Sequence, residues 1–289
     1  MLRNWDTVVE KKPRKLKRRV WKGIPAATRG RVWLLLADGH KQMAANPGLY
    51  DDLAYNHHCP SKTEQQIRLD QRRTFVDHLF FRDPRRDGQQ ALFRVLRAYA
   101  VYNHKVGYCQ GLSYVAGMFL CQYMEEEETF WTLMQFMNSP KYNMAGMFQE
   151  GFPLLHANLE IFETLLRHKY PKLEQHVQGE GILPIMYAEK WFITLFLYNW
   201  PYKVAVRIWD VFLYGGPKCL YTFALSVFEV AKDKLLLMPF EDLLTYLTNE
   251  FSQDLAANGV DQFMALAKKL KVDQSEIQKI SEKSALYSF

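Results

Sequence analysis

The sequence predicts an all-α fold. Apolar residues recur three and four positions apart in most segments between turn signals, as they do on one face of a helix. No alternating, β-branched run of strand length stands out between those signals. The 289 residues are 48% hydrophobic and 15% aromatic, which is enough to build a sizeable core.

The predicted helices follow this periodicity, and Gly and Pro end most of them. In the first clear helix Trp33 lies on the apolar side, one helical turn after Arg29. The acidic run at 125–128 fits the start of a helix, where negative charge complements the dipole. In order, the predicted helical segments are 26–39, 40–46, 90–103, 112–123, the helix that follows 125–128, 154–168, 173–181, 187–200, 204–214, 220–237, 240–252, 260–270 and 275–284.

Residues 106–124 form 19 consecutive positions without a charge. Gly107 and Gly111 bracket Gln110, so the backbone there can turn sharply or approach a partner closely. The length would suit a membrane span, but polar residues and glycines within the stretch favour a buried helix of a soluble protein. Its expected apolar stripe comprises Leu112, Val115, Met118, Phe119 and Tyr123.

The net charge of +6 comes from one segment. Residues 11–19 hold seven basic side chains and no acid, which leaves 30 basic and 31 acidic residues elsewhere. We interpret 1–19 as a solvated basic lead-in and expect ordered structure to begin near Val20. Peripheral association with an anionic membrane through 11–19, or nuclear import, is the alternative. No nucleic-acid-binding motif accompanies the segment, so we predict no nucleic-acid partner.

Cysteine usage predicts a reducing, cytoplasmic environment. The four cysteines show neither CxxC spacing nor the density of a disulfide framework, and we see no signal peptide. His57, His58 and Cys59 are adjacent and cannot easily converge on one ion. We therefore predict no metal site.

Two polar motifs carry the functional interpretation. They are Ile67-x-x-Asp70-x-x-Arg73-Thr74 and Tyr108-Cys109-Gln110-Gly111. Four further blocks accompany them: Gly23-Ile24-Pro25 with Arg29-Gly30-x-x-Trp33, Tyr102-Asn103-x-x-x-Gly107, Trp191-Phe192-x-x-Leu195-Phe196, and Arg207-Ile208-Trp209-Asp210. In their order along the chain, these motifs and blocks resemble those of the TBC-domain GTPase-activating proteins for Rab GTPases over roughly 20–252. Either short motif alone would be a weak signal, whereas the ordered set is a strong one.

The resemblance implies a single large multi-helix TBC domain over 20–252, built of two packed helical halves and followed by a helical extension at 253–289. It implies that Arg73 and Gln110 act in trans as an arginine finger and a glutamine finger. The residues expected to support them are Asp70, Thr74, Asn103, Tyr108 and Gly111. The residues expected to be structural are Arg29, Trp33, Arg207, Trp209 and Asp210.

The implied partner is a Rab GTPase in its GTP form, which brings its own GTP and Mg²⁺. The chain would need no cofactor and would have no hydrolase activity of its own. Its expected place is in vesicle trafficking, in the cytoplasm and at the periphery of endomembranes. We expect no transmembrane segment.

Residue chemistry agrees with this implication. An arginine stays protonated and donates several hydrogen bonds, and a glutamine amide both accepts and donates. Asp70 and Arg73 are three apart, so on a helix Asp70 can hold the guanidinium while no GTPase is bound. Arg72 would point elsewhere.

Each assignment has a plainer alternative. Asp70 and Arg73 could be a surface ion pair worth under about 1 kcal/mol, and Gln110 could cap the next helix. Arg207 and Asp210 could pair internally, with Trp209 in the core. At the level of the whole chain, the alternatives are a non-catalytic Rab-binding effector or scaffold, and a helical scaffold unrelated to GTPases.

Overall fold

The computed structural model describes residues 5–83, 87–270 and 272–283, without the side chains of 256–258. The chain divides into two compact units, 1–150 and 151–289. Every regular element in the described residues is helical, which confirms the all-α prediction. Unit 1 contains α1 (Trp5–Lys11), α2 (Pro13–Lys22), α3 (Ala26–Leu36), α4 (Gly39–Ala45), α5 (Leu49–Asp51), α6 (Ser61–Gln71), α7 (Asp87–Tyr102), α8 (Leu112–Leu120) and α9 (Glu126–Asn138).

Unit 1 also has a π-helical turn at Asp52–Asn56 and a 3₁₀ turn at Met144–Met147. Unit 2 contains α10 (Pro153–Lys169), α11 (Pro171–Gly179), α12 (Pro184–Tyr187), α13 (Glu189–Ile193), α14 (Tyr202–Gly215), α15 (Lys218–Leu235), α16 (Phe240–Thr245), a π-helical turn (Tyr246–Glu250), α17 (Phe251–Asn258), α18 (Val260–Lys269) and α19 (Gln274–Lys283).

The core of unit 1 forms around α7, α8 and α9, which pack on one another, while α6 packs on α7. Helix α8 is apolar almost throughout, and Leu112, Val115 and Phe119 are fully buried. Helix α9 begins after Glu125, whose amide donates to Glu128 Oε2 at 3.3 Å, so the acidic run does start a helix as predicted. This packing fixes the ends of α6 and α8, where the two polar motifs lie.

The expectation that ordered structure begins near Val20 is wrong. Helices α1 and α2 occupy most of the basic lead-in and pack on each other. Trp5 and Val8 are buried in α1, and Leu16 and Val20 in α2. The apolar residues are few but spaced for one helical face, so burying that stripe is enough to order the segment while its charges stay in water. Residues 1–4 lie outside the described residues.

Two of the predicted helical segments are shorter than expected. The stripe predicted for α8 includes Tyr123, but the helix stops at Leu120, and Tyr123 is 84% exposed with a φ of 59°. The segment 187–200 is not one helix, because Leu195 and Phe196 also take positive φ. There the Leu195 carbonyl leaves the helical ladder and accepts a hydrogen bond from Trp209 Nε1 at 3.0 Å. At Leu195, tertiary packing has overridden helical periodicity.

The C-terminal segment packs within unit 2: α18 lies against α14 and α15, and α19 lies against α10. The domain boundaries at 20, 252 and 253 stay predictions, and residue 284, the end of a predicted helix, lies outside the described residues. Among the described helices, none combines the length and apolar character that crossing a membrane requires.

Candidate functional site

Arg73 lies two residues beyond the end of α6 and is tied back to it by a buried carboxylate. Its Nε and Nη2 atoms donate to Asp70 Oδ1 at 2.9 and 2.6 Å. The two partners differ in environment, since the Arg73 side chain is 55% exposed and that of Asp70 only 2%. The predicted i,i+3 pairing is therefore present, and the guanidinium faces solvent while its anchor is buried.

The other oxygen of Asp70 links this segment to the glutamine motif. Tyr108 donates its hydroxyl proton to Asp70 Oδ2 at 2.6 Å. Burial, together with the Asp70 carboxylate, raises the pKa of the Tyr108 phenol far above its ordinary value, so the phenol remains a donor. Gln66, one helical turn earlier, adds a longer contact from its amide to Asp70 Oδ1 at 3.5 Å.

A tight turn follows Arg73 and fixes its backbone. Thr74 is buried and donates from its hydroxyl to the Asp70 carbonyl at 2.7 Å. Phe75 takes a φ of 48°, which is uncommon for a residue with a side chain. On α8, the Tyr114 hydroxyl donates to the Arg73 carbonyl at 3.3 Å, and its ring meets that of Phe75 edge-on at 5.5 Å. The chain leaves α6 in one direction set by these contacts.

Gln110 is exposed, and its side chain makes no hydrogen bond with any part of the chain that the structure describes. The residue that caps α8 is Gly111, which supplies no side-chain cap, so Gln110 does not serve as one. Gly111 has a φ of 105°, a backbone conformation that residues other than glycine rarely adopt. The loop thus holds the glutamine backbone and leaves its amide in solvent.

Asn103 organises the start of this loop through four hydrogen bonds. Its Oδ1 accepts from the Val106 amide at 3.3 Å, and its carbonyl accepts from the Gly107 amide at 2.7 Å. Its Nδ2 donates to the Tyr99 hydroxyl at 3.1 Å and to Asn138 Oδ1 at 3.3 Å. One side chain therefore connects the loop to both α7 and α9.

Cys109 is half-buried between these groups, and burial raises the pKa of its thiol, which suits a packed, unreactive cysteine. No group of three His, Cys, Asp or Glu side chains in the described ranges lies together in a way that could hold a metal ion. His57 instead contacts Asp52 Oδ2 at 2.8 Å through its Nε2. The site consists of an arginine, a glutamine and the side chains that hold them.

The five residues predicted to be structural are divided between the two units. In unit 1, Trp33 is fully buried, and Arg29 bonds to the Ile24 carbonyl and, at 3.4 Å, to Gln122 Oε1.

In unit 2, Trp209 and Asp210 are fully buried, so Trp209 does fill core as expected. Arg207 forms an ion pair with Asp261 at 2.9 Å. An ion pair between Arg207 and Asp210 stays a prediction.

Sequence reasoning missed Tyr114 and Gln66. Tyr114 carries a polar tip just beside the apolar stripe of α8, at three residues from Gly111, and that interruption is a signal that could have drawn attention to it. Gln66 precedes Asp70 by four, the spacing of helical neighbours. Neither position identifies its partner without the fold.

A family model identifies the family of the chain. The chain belongs to the Rab-GTPase-TBC domain family, whose model matches residues 26–236.

Two curated relatives are similar over most of the chain. It is 33% identical over 98% of its length to the Rab GTPase-activating protein tbc-11 of Caenorhabditis elegans, and 34% identical over 80% to Carabin of Mus musculus. The chain spans 31% of the first relative and 51% of the second.

Solved structures agree on the fold. The TM-score is 0.75 to the Chlamydomonas flagellar RabGAP TBC domain, at 29% identity, with 91% of this chain and 88% of that chain covered. It is also 0.75 to the Ypt/Rab-GAP domain of Gyp1p, at 18% identity, with 93% and 96% covered. The second likeness is one of fold alone.

Proposed function

We propose that this chain stimulates GTP hydrolysis by a Rab-family GTPase in its GTP form, with Arg73 and Gln110 inserted into the GTPase active site. One observation carries the proposal. An exposed arginine held by a buried carboxylate is joined, through Tyr108, to a loop that presents an unpartnered glutamine. Family membership supports it, and so does the name of tbc-11, a Rab GTPase-activating protein.

The arginine suits the charge that develops during phosphoryl transfer. As the bond to the γ-phosphoryl group breaks, negative charge grows on oxygens that the GTPase alone neutralises poorly. The Arg73 guanidinium is always charged and is already half in solvent. Insertion of such an arginine is worth about 10³–10⁵ in rate, or roughly 4–7 kcal/mol of barrier.

Asp70 makes the arginine available at low cost. When Arg73 leaves, a buried carboxylate without partners would cost about 1–3 kcal/mol or more. Tyr108 and Gln66 remain on that carboxylate, so it is not left unsatisfied. Both hydrogen bonds that Arg73 gives up go to Asp70 Oδ1, so its departure leaves the bond to Oδ2 unchanged.

The glutamine suits the attacking water. Its amide accepts a hydrogen bond from the water and donates another to a phosphate oxygen or to the partner backbone. The Gln110 side chain has no hydrogen bond to break within the described chain. Gly111 lets the backbone of the loop approach a partner closely. What binding must supply is the ordering of this side chain, about 1.5–2 kcal/mol at most.

The GTPase brings GTP and Mg²⁺, so the proposal requires no cofactor from this chain and no hydrolysis in its absence. Rab proteins act in vesicle trafficking, and we place the protein in the cytoplasm at the surface of endomembranes on that ground. A non-catalytic effector that binds a GTP-loaded Rab is the competing function.

Single-turnover phosphate release from a panel of GTP-loaded Rab proteins tests the proposal. The protein is present at catalytic amounts, and binding to each Rab is measured in parallel. Acceleration with at least one Rab supports the proposal. Binding without acceleration favours an effector, and neither binding nor acceleration across the full Rab complement overturns the assignment to Rab proteins.

A further inference from the structure

A dense basic surface lies on α2, far in sequence from Arg73. Eight basic residues and no acid occupy positions 11–22. The ion pairs found among the described residues involve none of the eight. The nearest acids in sequence, Asp6 and Glu10, are both exposed on α1. Like charges on one short helix repel each other, and no carboxylate of the described chain neutralises them.

The fold turns these charges into a fixed surface. Leu16 and Val20 lie one helical turn apart and are buried, with exposed fractions of 5% and 1%. Helix α2 therefore has one face against the protein, while its basic residues are exposed on the remaining faces. Such a surface loses little conformational entropy when it meets a partner, in contrast to an unstructured tail.

A cavity of about 800 Å³ opens beside this surface and is lined by both basic and apolar side chains. Three of the cations, Arg18, Arg19 and Lys22, contribute to its lining. Apolar side chains of α1 and α3, Trp5 and Val32, also line it. A ligand that fills this cavity would have to combine negative charge with an apolar part.

We propose that α2 and this cavity bind anionic phospholipid at a bilayer surface, with the lipid phosphate at Arg18, Arg19 and Lys22 and the adjoining apolar part of the lipid against Trp5. The other basic residues of 11–22 then lie over neighbouring anionic headgroups, where cations are attracted through a distance of about 8 Å at physiological salt. A nucleic-acid duplex would satisfy the cations but has no apolar portion for the cavity. The proposal does not depend on the GTPase-activating function.

The test is co-sedimentation of the full chain with two kinds of vesicle, phosphatidylcholine alone and phosphatidylcholine mixed with phosphatidylserine. The proposal predicts binding to the mixed vesicles only, weakening as salt is raised. Combining Arg18→Gln, Arg19→Gln and Lys22→Gln removes the three lining cations and is expected to weaken partitioning roughly a hundredfold, at about fivefold per lost contact.

A matched variant, Lys12→Gln with Arg14→Gln and Lys15→Gln, removes equal charge from positions that do not line the cavity. It is expected to weaken partitioning about tenfold or less, because these cations do not contact the bound lipid phosphate and act on neighbouring headgroups only through screened solvent. All six side chains are exposed, and thermal unfolding verifies that both variants keep the wild-type fold. A soluble short-chain phosphatidylserine should bind wild type and compete with the vesicles.

Three results would overturn the proposal. One is equal binding to neutral and mixed vesicles, or binding to neither. Another is an equal loss of vesicle partitioning in the two triple variants, which would show that the cations lining the cavity contribute no more than the other basic residues. The third is tighter binding to a DNA or RNA duplex than to mixed vesicles at the same concentration of anionic groups.

Discussion

The arginine and glutamine segments are held in opposite ways. Arg73 is fixed by its side chain, through two hydrogen bonds to Asp70, and its backbone is fixed by Tyr114. Gln110 is fixed only through its loop, by Asn103 and the turn at Gly111, while its amide stays in solvent. The Arg73 guanidinium is held in an ion pair, whereas the Gln110 amide is exposed to solvent.

The difference has an energetic consequence. To enter a GTPase, Arg73 must exchange one carboxylate for the phosphate oxygens, so the guanidinium keeps an anionic partner while Asp70 keeps only the neutral donors Tyr108 and Gln66. The Gln110 amide exchanges hydrogen bonds with solvent for a hydrogen bond with the attacking water, and its side chain loses rotamer freedom. Under the proposed function, the arginine supplies most of the rate enhancement and the glutamine a smaller, more geometry-dependent part.

The largest expected effect comes from Arg73→Ala. If the arginine neutralises transition-state charge, the substitution lowers the single-turnover rate with the cognate Rab by about 10³-fold or more, while binding to the GTP form changes little. Single-turnover kinetics at saturating protein measures this directly.

Arg72→Ala is the matched control for that experiment. Arg72 is also exposed and adjacent, but its side chain forms no hydrogen bond or ion pair among the described residues. Its loss should leave the rate near that of wild type. Equal losses in the two variants would show that general positive charge, rather than the held arginine, matters.

Gln110→Ala should have the next largest effect, about a hundredfold in rate or roughly 2.7 kcal/mol. The same kinetics measures it, with Gln65→Ala as a control because Gln65 is likewise exposed but lies on α6. A greater loss for Gln110 than for Arg73 would reverse the comparison and make water positioning the larger contribution to the rate.

Tyr108→Phe tests the link between the two segments. It removes the donor to Asp70 Oδ2 and leaves a buried carboxylate with one partner fewer. We expect a loss of about 1–3 kcal/mol in the free energy of unfolding, measured by urea titration. Tyr102→Phe, at a tyrosine that is 46% exposed, should cost far less. Similar values for both would remove Tyr108 from the anchoring of Asp70.

The smallest expected effect is a pH dependence at His78, in the segment after Arg73. Burial lowers the pKa of His78 below its ordinary value of about 6.5, and its Nδ1 accepts from the Phe80 amide at 3.3 Å. The folded state thus favours neutral histidine. Its contribution to stability is fully present above about pH 6.5 and is lost as the pH falls through the lower folded pKa.

The measurement is the free energy of unfolding from about pH 7 to pH 5 for wild type and His78→Gln. The difference between the two should shrink as the pH falls, since glutamine can still accept from the Phe80 amide but does not titrate. A difference independent of pH would contradict this account of the turn.

The sequence predicted the helical class, the Asp70–Arg73 pairing and the burial of Trp33 and Trp209, because each depends on local spacing or on side-chain polarity. It failed at 5–22, where four well-spaced apolar residues outweighed the charge. It also failed at Leu195, whose carbonyl is taken by Trp209. Bonds from Tyr108 and Tyr114 to the arginine segment span 38 and 41 residues, and no local pattern encodes them.

Complex formation with a cognate GDP-bound Rab, in the presence and absence of aluminium fluoride as a phosphoryl mimic, measures whether Arg73 and Gln110 both stabilise the transition state inside the partner's active site. A group that acts in the transition state binds such a mimic much more tightly than the ground state. We expect a stable wild-type complex only with the mimic, and its loss in both Arg73→Ala and Gln110→Ala. A complex that survives either substitution unchanged would show that the substituted residue does not act in the transition state.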